Sequence, residues 1–537
     1  MGTQQGSSGS NVTPGPRRGA AHPAATSWLL LGIGAVAAAI RLWTLDGGLP
    51  YLYHPDEPVN MTVALHMVQN GDWNPHFFNY PSLFFYLNAG LLLLEYGVGH
   101  LTGLLPTRAA LSDPLMLTLG VGKTLLPATF LLARLLTLAF ALGAIGLVFQ
   151  IARQISGNRA VGLGAALFLA LSPTAVANSR YITPDTSLVC FVLLAFWGAL
   201  TILQQGSAWA YGLAGIAAGL VESVKYNGGL IIVALLLAHG LRYGRQGVGD
   251  RRIYLALALA VGAFFATTPF ALLDYSHFVA DVQSEAQHYA SGHMGMEGNT
   301  FRWYSGYLWS VEGGITVLAV LGLGWALYRR AQPLLLLAAF PVVYFVFINR
   351  FEVRNDRTLL PLLPFLCILS AWLLGEIARL LRRRDPATPW LRGAILTGLV
   401  GGLVAGPCGQ IVQDGISRMD GVNTREQARA WLETQLPAHA PVVLEAYTPY
   451  LDAHRFTVRA VTRLIDHPAD WYAAQGVAYL VAGEGMYGRF YREPARYADE
   501  VQRYDTLFQQ FTLLTTIRDP SAKVSIRIYA VAPSRTK

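Results

Sequence analysis

Charge is what this sequence has least of. Only 13% of its 537 residues are Asp, Glu, Lys or Arg, while 53% are hydrophobic. A soluble domain carries about 25% charged residues, so the scarcity excludes an ordinary soluble chain and points to the bilayer. Cysteine is nearly missing as well. Cys190, Cys367 and Cys408 all lie inside apolar segments, which excludes a disulfide framework or a thiolate metal set and leaves small buried apolar residues. The apolar runs are continuous where a membrane barrel would alternate, so helices are the spanning element. No solenoid-type repeat stands out, and no loop for the phosphates of a nucleotide-sugar is apparent.

The sequence does have basic residues in the places where topology puts them. The net charge of +8 comes from Lys and Arg at the ends of apolar runs, a distribution that argues against nucleic acid. A span needs roughly 20 mostly apolar residues. Such runs are expected at about 27–45, 130–152, 159–177, 186–204, 208–223, 228–241, 252–271, 313–328, 332–348, 358–378 and 391–411. With the N-terminus inside, the inner connections collect Arg153 and Arg159, then Arg242, Arg245, Arg251 and Arg252, then Arg329 and Arg330, then Arg379, Arg382, Arg383 and Arg384. This cytoplasmic bias fits the positive-inside rule and an inner or plasma membrane location. Residues 1–26, rich in Gly, Ser, Pro and Ala, are expected to form a disordered cytoplasmic tail before a retained anchor.

The expected fold is therefore a polytopic α-helical membrane protein of about 11 spans over 27–417, with a small extracytoplasmic α/β domain over 418–537. Two long outer loops, about 46–129 and 272–312, interrupt the spans. The apolar stretch 81–105 is long enough to cross, with 114–133 as its return. Interfacial amphipathic helices are preferred there, because Asn88, Glu95 and His100 interrupt it. In the C-terminal part, Thr424-Arg425-Glu426-Gln427 reads as a helix start, and 441–447, 477–482 and 525–531 read as strands.

Just beyond the first run stands Tyr53-His54-Pro55-Asp56-Glu57-Pro58. The plainer reading makes Asp56 a helix cap with Pro58 in the first turn, contributing about 0.5–2 kcal/mol. Further along come Asn79-Tyr80-Pro81-Ser82-Leu83, Ser179-Arg180-Tyr181-Ile182-Thr183-Pro184-Asp185, Lys225-Tyr226, and Arg357-Thr358-Leu359-Leu360-Pro361. In this order, over about 27–410, the motifs resemble those of the GT-C glycosyltransferases, in particular the protein mannosyltransferase and lipid A aminoarabinose transferase group. The resemblance implies a membrane enzyme that moves a sugar from a polyprenyl-phosphate donor to a lipid, glycan or protein acceptor by inverting displacement, in contact with membrane lipids. It implies Asp56 as the base that takes the acceptor's proton, with Glu57 as helper or structural neighbour. It also implies a second acid facing the site, Asp185. The segment Phe78-Asn79-Tyr80-Pro81 departs from the Glu-Lys-Pro type of the aminoarabinose relatives, so donor and metal contacts there do not carry over.

A leaving phosphate gains charge, and fixed cations stabilise it. Lys225, Arg357 and Arg354 stand near outer ends of spans, against the positive-inside tendency, and Arg180 is the partner expected for Asp185 or the donor. Snorkelling to headgroups is the plainer reading for such cations, as it is for Arg41. In the second outer loop Glu285 and His293, together with His54, offer carboxylate and imidazole ligands for a divalent metal ion, although the spacing matches no tight signature and ordinary polar loop residues would look alike. Trp303, Tyr304, Tyr307 and Trp309 read as an interfacial belt or a sugar platform. Tyr447, Tyr450, Trp471 and Tyr472 read as a domain core or an acceptor surface. Two other classes stay open from residues alone, a multi-span transporter or flippase and a non-catalytic assembly protein. The acids cluster at outer span ends and not at the bilayer midplane, which disfavours transport.

Overall fold

The computed structural model describes residues 23–384, 388–419, 421–518 and 524–531. Most of the tail expected to be disordered lies outside them. Helices occupy each interval where a span is expected, from Pro23–Leu42 and Pro127–Ser156 to Leu363–Arg384 and Pro389–Ser417. Among the described helices six are long and apolar enough to cross a membrane, or seven if the sharply bent pair Thr300–Glu312 and Gly314–Arg329 is one span. The count of eleven includes shorter apolar helices such as Arg159–Ala170, Ala208–Val224 and Gln332–Ile348. Their ends follow local chemistry. Proline opens Pro127–Ser156 and Pro184–Gln205, where its missing N–H costs nothing, and left-handed Gly157 and Gly206 close them. Asn158 caps Arg159–Ala170 by accepting from the Ala160 N–H.

One large apolar cluster joins these helices. Its tightest seam is Gly215 and Gly219, one turn apart on Ala208–Val224. A Cβ at either would lie only 2.3 Å from the Ala256 carbonyl or 2.2 Å from that of Ala260 on Arg251–Thr267. Two backbones can pack this closely only because the side chains are missing, as in small-xxx-small helix pairs within membranes.

In the first long loop, helices Asp56–Asn70 and Leu83–Leu101 form with their own small core of Met61, Leu65, Phe84 and Leu92. The helix over 83–101 is not among those apolar enough to span. A hairpin follows, Leu115–Thr118 with Val121–Lys123, where the sequence suggested only a helical return. Left-handed Gly120 makes its turn.

The last part of the chain carries a five-stranded sheet ordered Thr457–Val461, Pro441–Glu445, Tyr479–Gly483, Ser525–Ala530, Thr512–Arg518. The first two pairings are parallel and the last two antiparallel. Both faces are covered, one by Tyr472, Phe490, Tyr504 and Leu507, the other by Ala428, Leu432 and Leu451. This unit is tied to the rest of the chain. The Tyr447 N–H donates to the Leu119 carbonyl of the hairpin turn at 2.8 Å. Arg354 pairs with Glu493 at 2.5 Å, and Arg425 donates to the Tyr53 carbonyl at 3.2 Å.

Candidate functional site

Helix Asp56–Asn70 starts without a side-chain cap, its N-cap position falling to Pro55. Asp56 is thus free of the capping role that its sequence context offered. Its Oδ2 instead accepts from Nη1 of Arg357, which is 301 positions away and follows the short turn begun by Asn355. The Asp56 N–H donates to Nδ1 of His54 at 3.3 Å, and the His54 ring lies 4.3 Å from that of Tyr181. Burial pushes the Asp56 carboxyl up, but Arg357, His54 and Lys225 together outweigh it, and it lies below the usual range. Burial also lowers His54, which the neighbouring carboxylates only partly offset. At neutral pH the pair is a carboxylate beside an uncharged imidazole.

Asp56, His54 and Arg357 line a cavity of about 430 Å³, together with Tyr80, Glu285, Tyr289 and His293. From the sheet unit, Tyr447 and Arg489 close its side. A second cavity, of about 210 Å³, shares Tyr80, Glu285, Tyr289 and Val353 with the first and is walled by Phe347, Ile348 and Phe351. Lys225 reaches into this apolar one, with its ammonium 5.6 Å from the Tyr80 ring centre. Asp185 accepts from Lys225 Nζ at 2.7 Å and is itself 1% exposed. It lines neither cavity and holds the lysine. Arg357 keeps a buried Nε without a hydrogen-bond partner.

Other expected site residues are engaged elsewhere. Glu57, wholly buried, forms a two-bond pair with Arg134 at 2.8 Å and accepts from the Ile182 N–H at 3.1 Å. It locks the first loop to the helix Pro127–Ser156 and to the 179–183 segment. Arg180 bonds Asp414 at 2.8 Å and the Ile40 carbonyl at 2.7 Å, joining the first helix to the helix Pro389–Ser417. Arg354 holds Glu493. Tyr304 lines the Lys225 cavity, whereas Tyr450 and Tyr472 are packed in the cores of the sheet unit.

The sequence reading passed over Tyr289, Arg489 and Arg134. Tyr289 sits one turn after Glu285 on Tyr275–Ser291, a helical spacing that could have flagged it. Arg134 is a charge inside an apolar run, near the start of Pro127–Ser156, a signal of the same kind as the one that singled out Arg357. Nothing in sequence marks Arg489.

For the expected metal set, His54, His293 and Glu285 all face the larger cavity. Their ligand atoms do not gather within 4.8 Å of one another, His54 Nδ1 accepts a backbone N–H, and Glu285 accepts from Asn79 at 3.0 Å. These residues do not fit a metal ion as they stand.

With this geometry in view, residues 117–269 match the family model described as dolichyl-phosphate-mannose-protein mannosyltransferase. Among solved structures, the chain is similar to ArnT from Cupriavidus metallidurans bound to undecaprenyl phosphate. The TM-score is 0.53 at 17% identity, over 95% of this chain and 99% of that one. It is also similar to the oligosaccharyltransferase AglB from Archaeoglobus fulgidus in complex with an inhibitory peptide and a dolichol-phosphate. There the TM-score is 0.52 at 11% identity, over 94% of this chain and 74% of that one. No curated protein matches the chain by sequence. The chain has the fold of the GT-C glycosyltransferases, the group that its ordered motifs resemble.

Proposed function

We propose that this chain is a membrane glycosyltransferase that takes a sugar from a polyprenyl-phosphate donor and passes it to an acceptor on the extracytoplasmic side. The observation that carries this reading is the meeting of Asp56 with Arg357 in a polar cavity that adjoins an apolar one entered by Lys225. A lipid phosphate has the matching division, an apolar tail and an anionic head. The solved structures with undecaprenyl phosphate and dolichol-phosphate support it, since they share this fold.

The chemistry follows from the residues. The acceptor hydroxyl or amine gives its proton to an Asp56 carboxylate oxygen while its lone pair attacks the anomeric carbon. The bond from that carbon to the phosphate oxygen breaks with its electron pair, and the configuration inverts. Charge grows on the departing phosphate, where Lys225 and Arg357, each lining one of the two adjoining cavities, can meet it. In the resting protein Arg357 neutralises Asp56, and a phosphate that draws the guanidinium away leaves the carboxylate free to accept a proton. Asp185 positions Lys225, and Glu57 positions the segment that carries Asp56. The N-terminus then lies in the cytoplasm, with the sheet unit above the outer face, where Tyr447 and Arg489 border the acceptor side.

Binding of polyprenyl phosphate to the purified protein tests the donor half. Lys225→Ala and Arg357→Ala each weaken it by at least about tenfold, the scale of one charge-assisted bond. Unchanged affinity in both variants contradicts the assignment.

A further inference from the structure

Away from the two cavities, the start of helix Tyr275–Ser291 meets the turn 72–76 of the first outer loop. Asp274, His277 and Asp281 fall on one face of that helix, three and four residues apart. The turn sets His76 opposite them. Asp72 accepts from the Asn74 N–H at 2.9 Å, and Asn74 accepts from the His76 N–H at 3.1 Å. Among the described residues, His76, Asp274 and His277 are the one group whose potential metal-ligand atoms lie within 4.8 Å of one another.

The orientation of the two rings says more than their proximity. Nδ1 of His76 lies 3.8 Å and Nδ1 of His277 lies 3.5 Å from the same Asp274 Oδ2. Each ring turns its other nitrogen to a different carboxylate, His76 Nε2 to Asp72 at 2.8 Å and His277 Nε2 to Asp281 at 3.5 Å. The Asp72 carboxylate, at hydrogen-bond distance, holds a proton on Nε2 of His76. The Nδ1 lone pair of His76 then faces the anionic Asp274 oxygen, an arrangement that is repulsive unless a cation, a proton or a metal ion, sits between them. Tetrahedral zinc, with bonds of about 2.1 Å, separates its ligand atoms by roughly 3.4 Å. The distances present are close to that. Three carboxylates and two imidazoles converge here, and no lysine or arginine lies within ion-pair distance of those carboxylates among the described residues.

We infer that His76, His277 and Asp274 bind a divalent transition-metal ion of the zinc class, with Asp72 and Asp281 orienting the two imidazoles. Imidazole and carboxylate together suit such an ion. The ion acts as a clasp between two segments far apart in sequence. Asn74 already bridges them through Asp274 at 2.8 Å, and the Phe78 N–H donates to Asp281 at 2.7 Å. Beyond Phe78 come Asn79 and Tyr80, and along the helix come Glu285 and Tyr289, all on the wall shared with the Lys225 cavity. The clasp therefore fixes the outer edge of that wall, about two turns of helix from Glu285, and takes no part in the displacement itself.

The test uses full-length protein in nanodiscs, stripped with chelator, loaded with Zn²⁺ and desalted before metal analysis. Wild type is expected to retain about one equivalent and to melt several degrees higher with zinc than without. His76→Ala/His277→Ala loses both the metal and the shift, while its metal-free melting temperature stays close to that of stripped wild type. His66→Ala, which removes a histidine paired with Asp113 elsewhere in the same loop, keeps both. Asp72→Asn leaves every ligand in place and weakens zinc binding about 10- to 100-fold. The inference is overturned if wild type retains no zinc, the result expected if protons on the two imidazoles hold the cluster together. It is equally overturned if the double variant retains a full equivalent.

Discussion

At the scale of single residues, two adjacent acids have opposite fates. Asp56 faces a cavity and pairs there with Arg357, whereas Glu57 is sealed against Arg134. Asp56→Asn is expected to lower transfer by about 10²–10⁴, the usual range for a lost general base, without changing the melting temperature. Asp56→Ser, which would serve well as a helix cap, should be as inactive, because no cap bond exists to preserve. Since Arg357, His54 and Lys225 hold the Asp56 carboxyl below its usual range, the acid limb of kcat/KM should begin only below about pH 3.9, the ordinary aspartate value. A limb near pH 6 would assign the base elsewhere. Glu57→Ala leaves Arg134 charged and buried, so it should cost roughly 3–5 kcal/mol, read as lost thermal stability. Sequence named both acids as site candidates but could not tell them apart, because the partner of each lies far along the chain. Arg134 is 77 residues from Glu57, and Arg357 is 301 from Asp56.

At the scale of elements, the helices were legible because hydrophobic runs, prolines and glycines are local signals. The strands 441–447, 477–482 and 525–531 were legible as short segments rich in Val, Ile, Leu and Tyr, and they pair as neighbours in the sheet. Thr457–Val461 and Thr512–Arg518 are the two edge strands. They are mostly exposed or half-buried, which is why they escaped notice. The hairpin at 115–123 escaped as well, because its apolar residues look like the lead-in to the helix that follows. Within the sheet unit, Glu445 is fully buried and accepts from Tyr504, from the Leu464 N–H at 2.9 Å and from the Gly483 N–H at 3.0 Å. Burial pushes its carboxyl up to about 7 against these three donors. A folded value above the unfolded one means a contribution present below about pH 4.5 and lost as pH rises through about 7. The sheet unit should therefore lose on the order of 3 kcal/mol between those limits. Hydrogen exchange of the Pro441–Glu445 strand at pH 5 and pH 8 checks this, and Glu445→Gln should flatten the difference.

At the scale of the whole molecule, the site is assembled from pieces that no window of sequence contains. The first loop brings the acid, the segment before Leu363–Arg384 brings Arg357, and the end of Ala208–Val224 brings Lys225. The sheet unit closes the cavity with Tyr447 and Arg489. Order along the chain and an outer-face position were enough to nominate Asp56, Lys225 and Arg357 together. Their division into a polar and an apolar cavity needed three dimensions. Arg354 and Glu493 fasten the lid-like unit to the helices, so Arg354→Glu should slow transfer several-fold and Glu493→Arg in the same chain should restore it. The central claim is transfer from a lipid-phosphate donor with Asp56 as base. The most direct measurement is sugar transfer in sealed vesicles containing the purified chain and a labelled polyprenyl-phosphate sugar, with acceptor supplied on the side of the sheet unit. The account predicts that wild type moves label to the acceptor and releases polyprenyl phosphate, while Asp56→Asn binds the donor and transfers it about 10²–10⁴-fold more slowly. Full transfer by Asp56→Asn would contradict it.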